Sequence, residues 1–129
     1  MPSFDSAFFT WADLRRSNFQ GVDMTNAIFT EADMRECRLS KAKLDRASLS
    51  RVDLRGSYLG GASLVGALLG GADLRNCEGL TPGQLAGAWI DESTHFPPQL
   101  ATDEWVLARL AACASGSSRP VPPPTPLPS

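Results

Sequence analysis

A chain of 129 residues with a formal charge of −2, 43% hydrophobic and 20% charged, has room for one domain with a modest core. The near-balanced charge leaves no basic footprint for nucleic acid, so direct nucleic-acid binding is not expected. No apolar run is long enough to cross a bilayer, and "MPSFDSAFFTW" has neither a positive n-region nor an apolar h-region, so no signal peptide is expected.

From the first residues onward the chain is periodic. "ADLR" at 12–15 returns as "ADMR" at 32–35, "VDLR" at 52–55 and "ADLR" at 72–75, a step of twenty residues. A finer period lies inside it. Every fifth residue from Phe4 to Leu74 is Leu, Met or Phe, and two positions before each stands a small or modest residue such as Ala7, Ala12, Ser17 or Val22. A helix rotates a five-residue step by about 140° and builds no stripe from it. Strand alternation fails because five is odd. The pattern fits a square coil in which five residues make one wall, with the large and the small residue inside. Twenty residues then complete a turn, and successive turns stack about 4.8 Å apart through parallel hydrogen bonds.

The run from Phe4 to Leu74 resembles the pentapeptide-repeat family, whose motif is A(D/N)Lxx. The resemblance implies an all-β solenoid, a right-handed quadrilateral parallel β-helix of just under four coils, with a short C-terminal α-helical cap. The expected division is a β-helix over 1–78, a helical cap and loop over 79–114, and a Pro/Ser-rich tail over 115–129, disordered or polyproline-like and read as a solvated tail rather than as a ligand for an aromatic groove.

Function on such a rod has to lie on outward positions. Asp13, Asp33, Asp53 and Asp73 form one column beside Arg15, Arg35, Arg55 and Arg75, which is expected to be an interleaved charge ladder on a solvated wall. Phe8, Ile28 and Leu68 share another column, interrupted by Ser48, with Trp11 at the neighbouring corner. Outward apolar groups in a row mark either a contact with another protein or the seat of a folded-back C-terminal segment. Gly56, Gly61, Gly66 and Gly71 fall on successive corners, where a tight turn asks for positive φ. The basic residues Arg38, Lys41, Lys43, Arg46 and Arg51 spread over three walls and make no stripe.

After the last repeat, "LTPGQLAGAWI" at 80–90 reads as a helix capped by Thr81, with Pro82 in its first turn and Gln84 closing a capping box. Leu80, Leu85, Ala88 and Trp89 are expected to lie across the open core. "DESTHFPPQL" reads as an irregular loop, and 102–114 as an amphipathic helix started by Thr102. "LTPEQL…DxxTxLP" endings follow the repeats in members of the family, so the cap extends the resemblance. The first coil carries no such cap; a crowd of Phe4, Phe8, Phe9, Trp11 and Phe19 at that end is expected to meet another chain or residues upstream.

Three cysteines, an odd number without metal-ligand spacing, read as free thiols in a reducing compartment, and a cytoplasmic protein is expected. Cys37 and Cys77 stand two coils apart, too far for a disulfide. The one histidine, His95, shares a short loop with Asp91, Glu92 and Ser93 and has no converging element, so no enzyme, cofactor or metal is expected. The reading is an interaction or scaffold module that binds an unidentified protein through a solenoid face or terminal coil. A homodimer through a terminal coil or the C-terminal helix is a further expectation. The resemblance also carries an alternative: some family members mimic B-DNA, bind DNA gyrase and protect it from quinolones or toxins. Ten acidic and ten basic residues across 1–78 leave this chain without the negative surface of such a mimic.

Overall fold

A computed structural model describes residues 3–117 and 119–122. The expected square coil is present. Each wall is three residues long, small–outward–large, and its middle residue bridges in parallel to the residue twenty positions on: Phe8 to Ile28, Asp13 to Asp33, Asn18 to Arg38 and Asp23 to Lys43. The bonds have the parallel pattern, with Ile28 N donating to the Ala7 carbonyl (2.8 Å) and Phe9 N to the Ile28 carbonyl (2.6 Å).

Between walls the chain turns a corner closed by an i→i+3 bond, such as Ala12 N to the Phe9 carbonyl at 2.9 Å. The residue just before the closing N–H has positive φ at every corner from Ser6 to Asn76. That is the geometry of a type II turn, whose third residue sits in the left-handed region. Glycine fills it at 21, 56, 61, 66 and 71, but ten non-glycine residues hold φ of 57–64° at the others.

The large inward residues are closed off from solvent from Phe19 to Leu74, and Met24, Phe29, Leu44, Leu49 and Leu69 have no exposed surface. The small column Ser17–Cys37–Ser57–Cys77 is polar for a reason. Each inward heteroatom from 37 onward donates to a carbonyl 23 residues back: Cys37 Sγ to Leu14 (3.0 Å), Ser57 Oγ to Met34 (2.7 Å) and Cys77 Sγ to Leu54 (3.0 Å). Ser57 Oγ also accepts from Cys37 N at 3.0 Å, standing in for the usual corner bond.

The end of the coil departs from expectation. The helix read over 80–90 is only one turn, α1 (Pro82–Ala86), with the Thr81/Gln84 capping box as expected and Gly87 as its C-cap. Trp89 does not lie across the core. It is an outward residue bridged to Leu68, and Leu69 N donates to its carbonyl at 2.8 Å. The segment 91–100 is likewise not simply a loop, because His95 bridges to Asp73 and a short helix α2 (Pro98–Ala101) follows. Two further walls therefore continue the solenoid past residue 78, the boundary read from the repeats. The wall that would lie beyond Ser63 is replaced by α1, where Gln84 Nε2 donates to the Leu59 and Ala62 carbonyls at 2.7 and 2.9 Å. The last helix, α3 (Glu104–Ala114), is capped by the Asp103 carboxylate rather than by Thr102. The tail was expected to be solvated; at its start Val121 N donates to the Ala86 carbonyl at 3.0 Å, and residues 118 and 123–129 lie outside the described residues.

Two measurements probe this packing. A Cβ at Gly21 (φ +71°) meets nothing within 4 Å, whereas one at Gly79 (φ +76°) would stand 2.7 Å from Gly60 N. Gly21→Ala should cost about 1 kcal/mol of left-handed strain, and Gly79→Ala about 3 kcal/mol or more, because backbone must also move; urea unfolding gives both. Burial pushes the Cys77 thiol up to about 12 and raises that of Cys37. Iodoacetamide at pH 8 should therefore label half-buried Cys113 first, with Cys37 and Cys77 labelled only on unfolding, as read by mass spectrometry.

Candidate interaction surface

Four walls offer four outward columns, and their chemistry differs. The Asp/Arg wall is internally satisfied. Each arginine makes a two-point contact with the aspartate of its own coil, as Arg35 does through Nε (2.9 Å) and Nη2 (2.7 Å) to Asp33. The longer contacts run up the column: Arg15–Asp33 at 3.8 Å, Arg35–Asp53 at 3.7 Å and Arg55–Asp73 at 3.6 Å. The ladder is thus interleaved, with the contact between coils longer than the one within each coil. The reason is spacing, since two residues along an extended wall place both side chains on one face. Each aspartate also accepts the backbone N–H two residues on, as Asp73 Oδ1 does from Arg75 N at 3.1 Å. That bond ties the start of the corner after each of these aspartates, and Asp23 with Thr25 repeats it on another wall. The D/N of the motif therefore has a folding role on this chain.

The apolar column is the opposite case. Phe8, Ile28, Ser48, Leu68 and Trp89 are bridged in series on one wall. Phe8 is 78% exposed and Trp11, at the next corner, 75%. Leu68 is exposed as well, and Ile28 is half-buried. Trp11 holds φ +64° at a strained corner, with most of its surface open to solvent. The fold-back of the C-terminal segment reaches only the far end of this column. There Leu68, Trp89, Leu110 and Cys113 line a groove of 780 Å³ between the wall and α3. Beside the column the first coil is open: Phe4 is exposed, edge-on to Phe9 (5.8 Å) and Phe19 (6.4 Å), while Phe9 stacks on Phe29 at 5.0 Å.

Trp89 was missed as a member of this column because it follows Leu68 by 21 residues, one more than the repeat. His95 follows Asp73 by 22. Its backbone carries the ladder, with Leu74 N donating to its carbonyl at 2.7 Å, while its exposed side chain meets no nucleophile. Asp91 is engaged by Ser93 Oγ and N rather than by His95. Among the described residues no group of three or more His, Cys, Asp or Glu could hold a metal ion, and no helix is long and apolar enough to cross a membrane.

The Asp/Arg ladder has a pH signature. Hydrogen bonds from Arg15 hold Asp13 at about 2, against an ordinary value of 3.8. Asp33 and Asp73 are lowered in the same way by Arg35 and Arg75. A carboxylate with a depressed pKa contributes stability that is full above its unfolded value and lost as pH falls through the folded one. The urea midpoint should stay level above pH 4, fall between 4 and 2, and fall less in Asp73→Asn.

A model of pentapeptide repeats matches the chain in eight copies, over residues 3–31, 32–71 and 53–78. No curated protein matches in sequence. In fold the chain is similar to a pentapeptide repeat protein of the Arabidopsis thaliana thylakoid lumen, at 22% identity and a TM-score of 0.59, covering 78% of this chain and 72% of that one. A pentapeptide repeat protein of Nostoc PCC 7120 aligns at 29% identity and 0.47, over 83% of this chain and 81% of its own. QnrB1, a plasmid-mediated fluoroquinolone resistance protein, aligns at 19% and 0.42, over 84% and 66%. The shared architecture is the right-handed quadrilateral β-helix. With the repeat matches running over more than half of its length, the chain belongs to the pentapeptide-repeat family.

Proposed function

We propose that this chain is a non-enzymatic interaction module that binds a protein partner through the wall and corner bearing Phe8, Trp11, Ile28 and Leu68. The observation that carries the reading is the exposure of Phe8 and Trp11, 78% and 75%, on a rigid wall. Keeping two aromatic side chains in water forfeits roughly 1.5–3 kcal/mol each of burial energy. Association recovers it, and aromatic anchors are the side chains that dominate protein contacts. The open first coil adjoins this face and gives a second copy a place to pair. The free thiols suit a reducing compartment such as the cytoplasm.

The gyrase-binding alternative asks for a negative rod. Here every aspartate of the 13/33/53/73 column is matched by an arginine at 2.6–2.8 Å, so that wall presents paired charge.

Phe8→Asp tests the proposal, because Phe8 lies outside the core and the substitution should change the unfolding free energy by no more than about 0.5 kcal/mol. Affinity purification from the native host and size-exclusion chromatography should each lose a species present with the parent chain. An inert monomer unchanged by Phe8→Asp rejects the reading.

A further inference from the structure

The most unusual side chain of the cap is Arg109. It is fully buried, yet among the described residues no carboxylate lies within ion-pair distance. Its partners are backbone carbonyls: Ala88 accepts from Nε at 2.6 Å, and Nη1 donates to Arg119 at 2.6 Å and to Ser117 at 3.3 Å. Its guanidinium carbon sits 5.4 Å from the centre of the Trp89 ring, and Nη2 has no partner among the described residues. A buried cation costs several kcal/mol unless its donors are met. Two of the three carbonyls that meet them belong to the tail.

The tail arrives there by a defined turn. At the end of α3, Gly116 takes φ +81°, Gly116 N donates to Cys113 (2.9 Å) and Ser117 N to Ala112 (3.0 Å), a Schellman motif that sends the chain back along the helix. One turn before Arg109 on the same face, Trp105 Nε1 donates to the Val121 carbonyl at 2.7 Å. Between the two prolines, Val121 N donates to Ala86 at the end of α1. The spacing is the informative part. Four residues along a helix rise about 6.0 Å, and two residues of a polyproline II strand rise about 6.2 Å. Donors at 105 and 109 therefore match carbonyls at 121 and 119, in antiparallel order. Polyproline II leaves every carbonyl unpaired, which is what a face of two donors without a carboxylate can use.

We infer that α3 carries a polyproline-binding groove, with Trp105 and Arg109 as its two reading residues, and that its resident ligand is this chain's own Arg119-Pro120-Val121-Pro122, held in cis. The groove lies apart from the Phe8 wall and does not depend on the function proposed for that wall. A Pro-rich peptide with a carbonyl at each second residue and one free N–H between prolines is the ligand class it accepts in trans, once the resident strand is displaced.

Amide hydrogen exchange by NMR on the full chain tests this. The Val121 amide should exchange at least about tenfold more slowly than in a free synthetic peptide of residues 115–129, independent of protein concentration. Trp105→Phe keeps the ring and removes the donor; it should return Val121 to within about twofold of the free rate, while Leu49 and Leu54, whose amides donate to Leu68 and Asp73 in the solenoid, keep their protection. Added peptide of sequence RPVPPP at millimolar concentration, needed to compete with a tethered ligand, should shift the Trp105 indole resonance and speed Val121 exchange. Val121 exchanging at the free-peptide rate in the parent chain overturns the groove. Protection that vanishes on dilution overturns the cis assignment, and a silent titration overturns the trans ligand class.

Discussion

A parallel ladder with a twenty-residue step closes only if the chain turns a corner every five residues, and each corner forces one residue into the left-handed region. Ten of those residues have a Cβ, at roughly 1–2 kcal/mol of strain each. What holds them there is the wall between corners. From Phe19 to Leu74 each wall buries one Leu, Met or Phe, worth about 1.5–3 kcal/mol, together with a small residue and its ladder bonds. Corner and wall are of similar size, so every wall has to be well packed for the coil to persist. The glycines of the last coil relax the strain where the helical cap attaches.

The same constraint sorts the polar residues. An outward aspartate beside a corner can accept the N–H two residues on, and the columns of Asp13, Asp33, Asp53 and Asp73 all do so. Their arginines close over the carboxylates, and side-chain exposure of the aspartates falls along the column from 62% to 15%. Charge that is used to hold corners is not available to attract a partner. The near end of the apolar wall, at Phe8 and Ile28, carries no such side-chain bond among the described residues, and the proposed interaction surface lies there.

The C-terminal end shows how a repeat fold stops. A bare last coil would leave ladder carbonyls without donors, and three different groups supply them. Gln84 meets Leu59 and Ala62, the Thr94 hydroxyl meets Leu69 at 2.9 Å, and Trp89 and His95 continue two walls with backbone. Arg109 then ties α3 to the Ala88 carbonyl and to the tail. Its bonds add polar ties to the apolar packing of Val106, Leu110 and Cys113 against the core.

The amino-acid sequence alone determined the walls, the inward columns, the corners and the capping box. Each of these depends on side-chain size or turn chemistry within a few residues, and repetition makes such local rules visible. Tertiary structure decided the rest. Trp89 and His95 join the ladder after steps of 21 and 22 residues, because a bulging connection can still return the backbone to the right height. The helix over 102–114 reads as amphipathic, but the burial of Arg109 within it does not show, since its partners are carbonyls and carbonyls have no signature in a sequence. The exposure of Phe8 and Trp11 was legible from their register, while the fold-back at the far end of that column needed the position of α3. Spacing reports what a residue does within its own coil; contacts between distant segments that break the period are set only when the chain has folded.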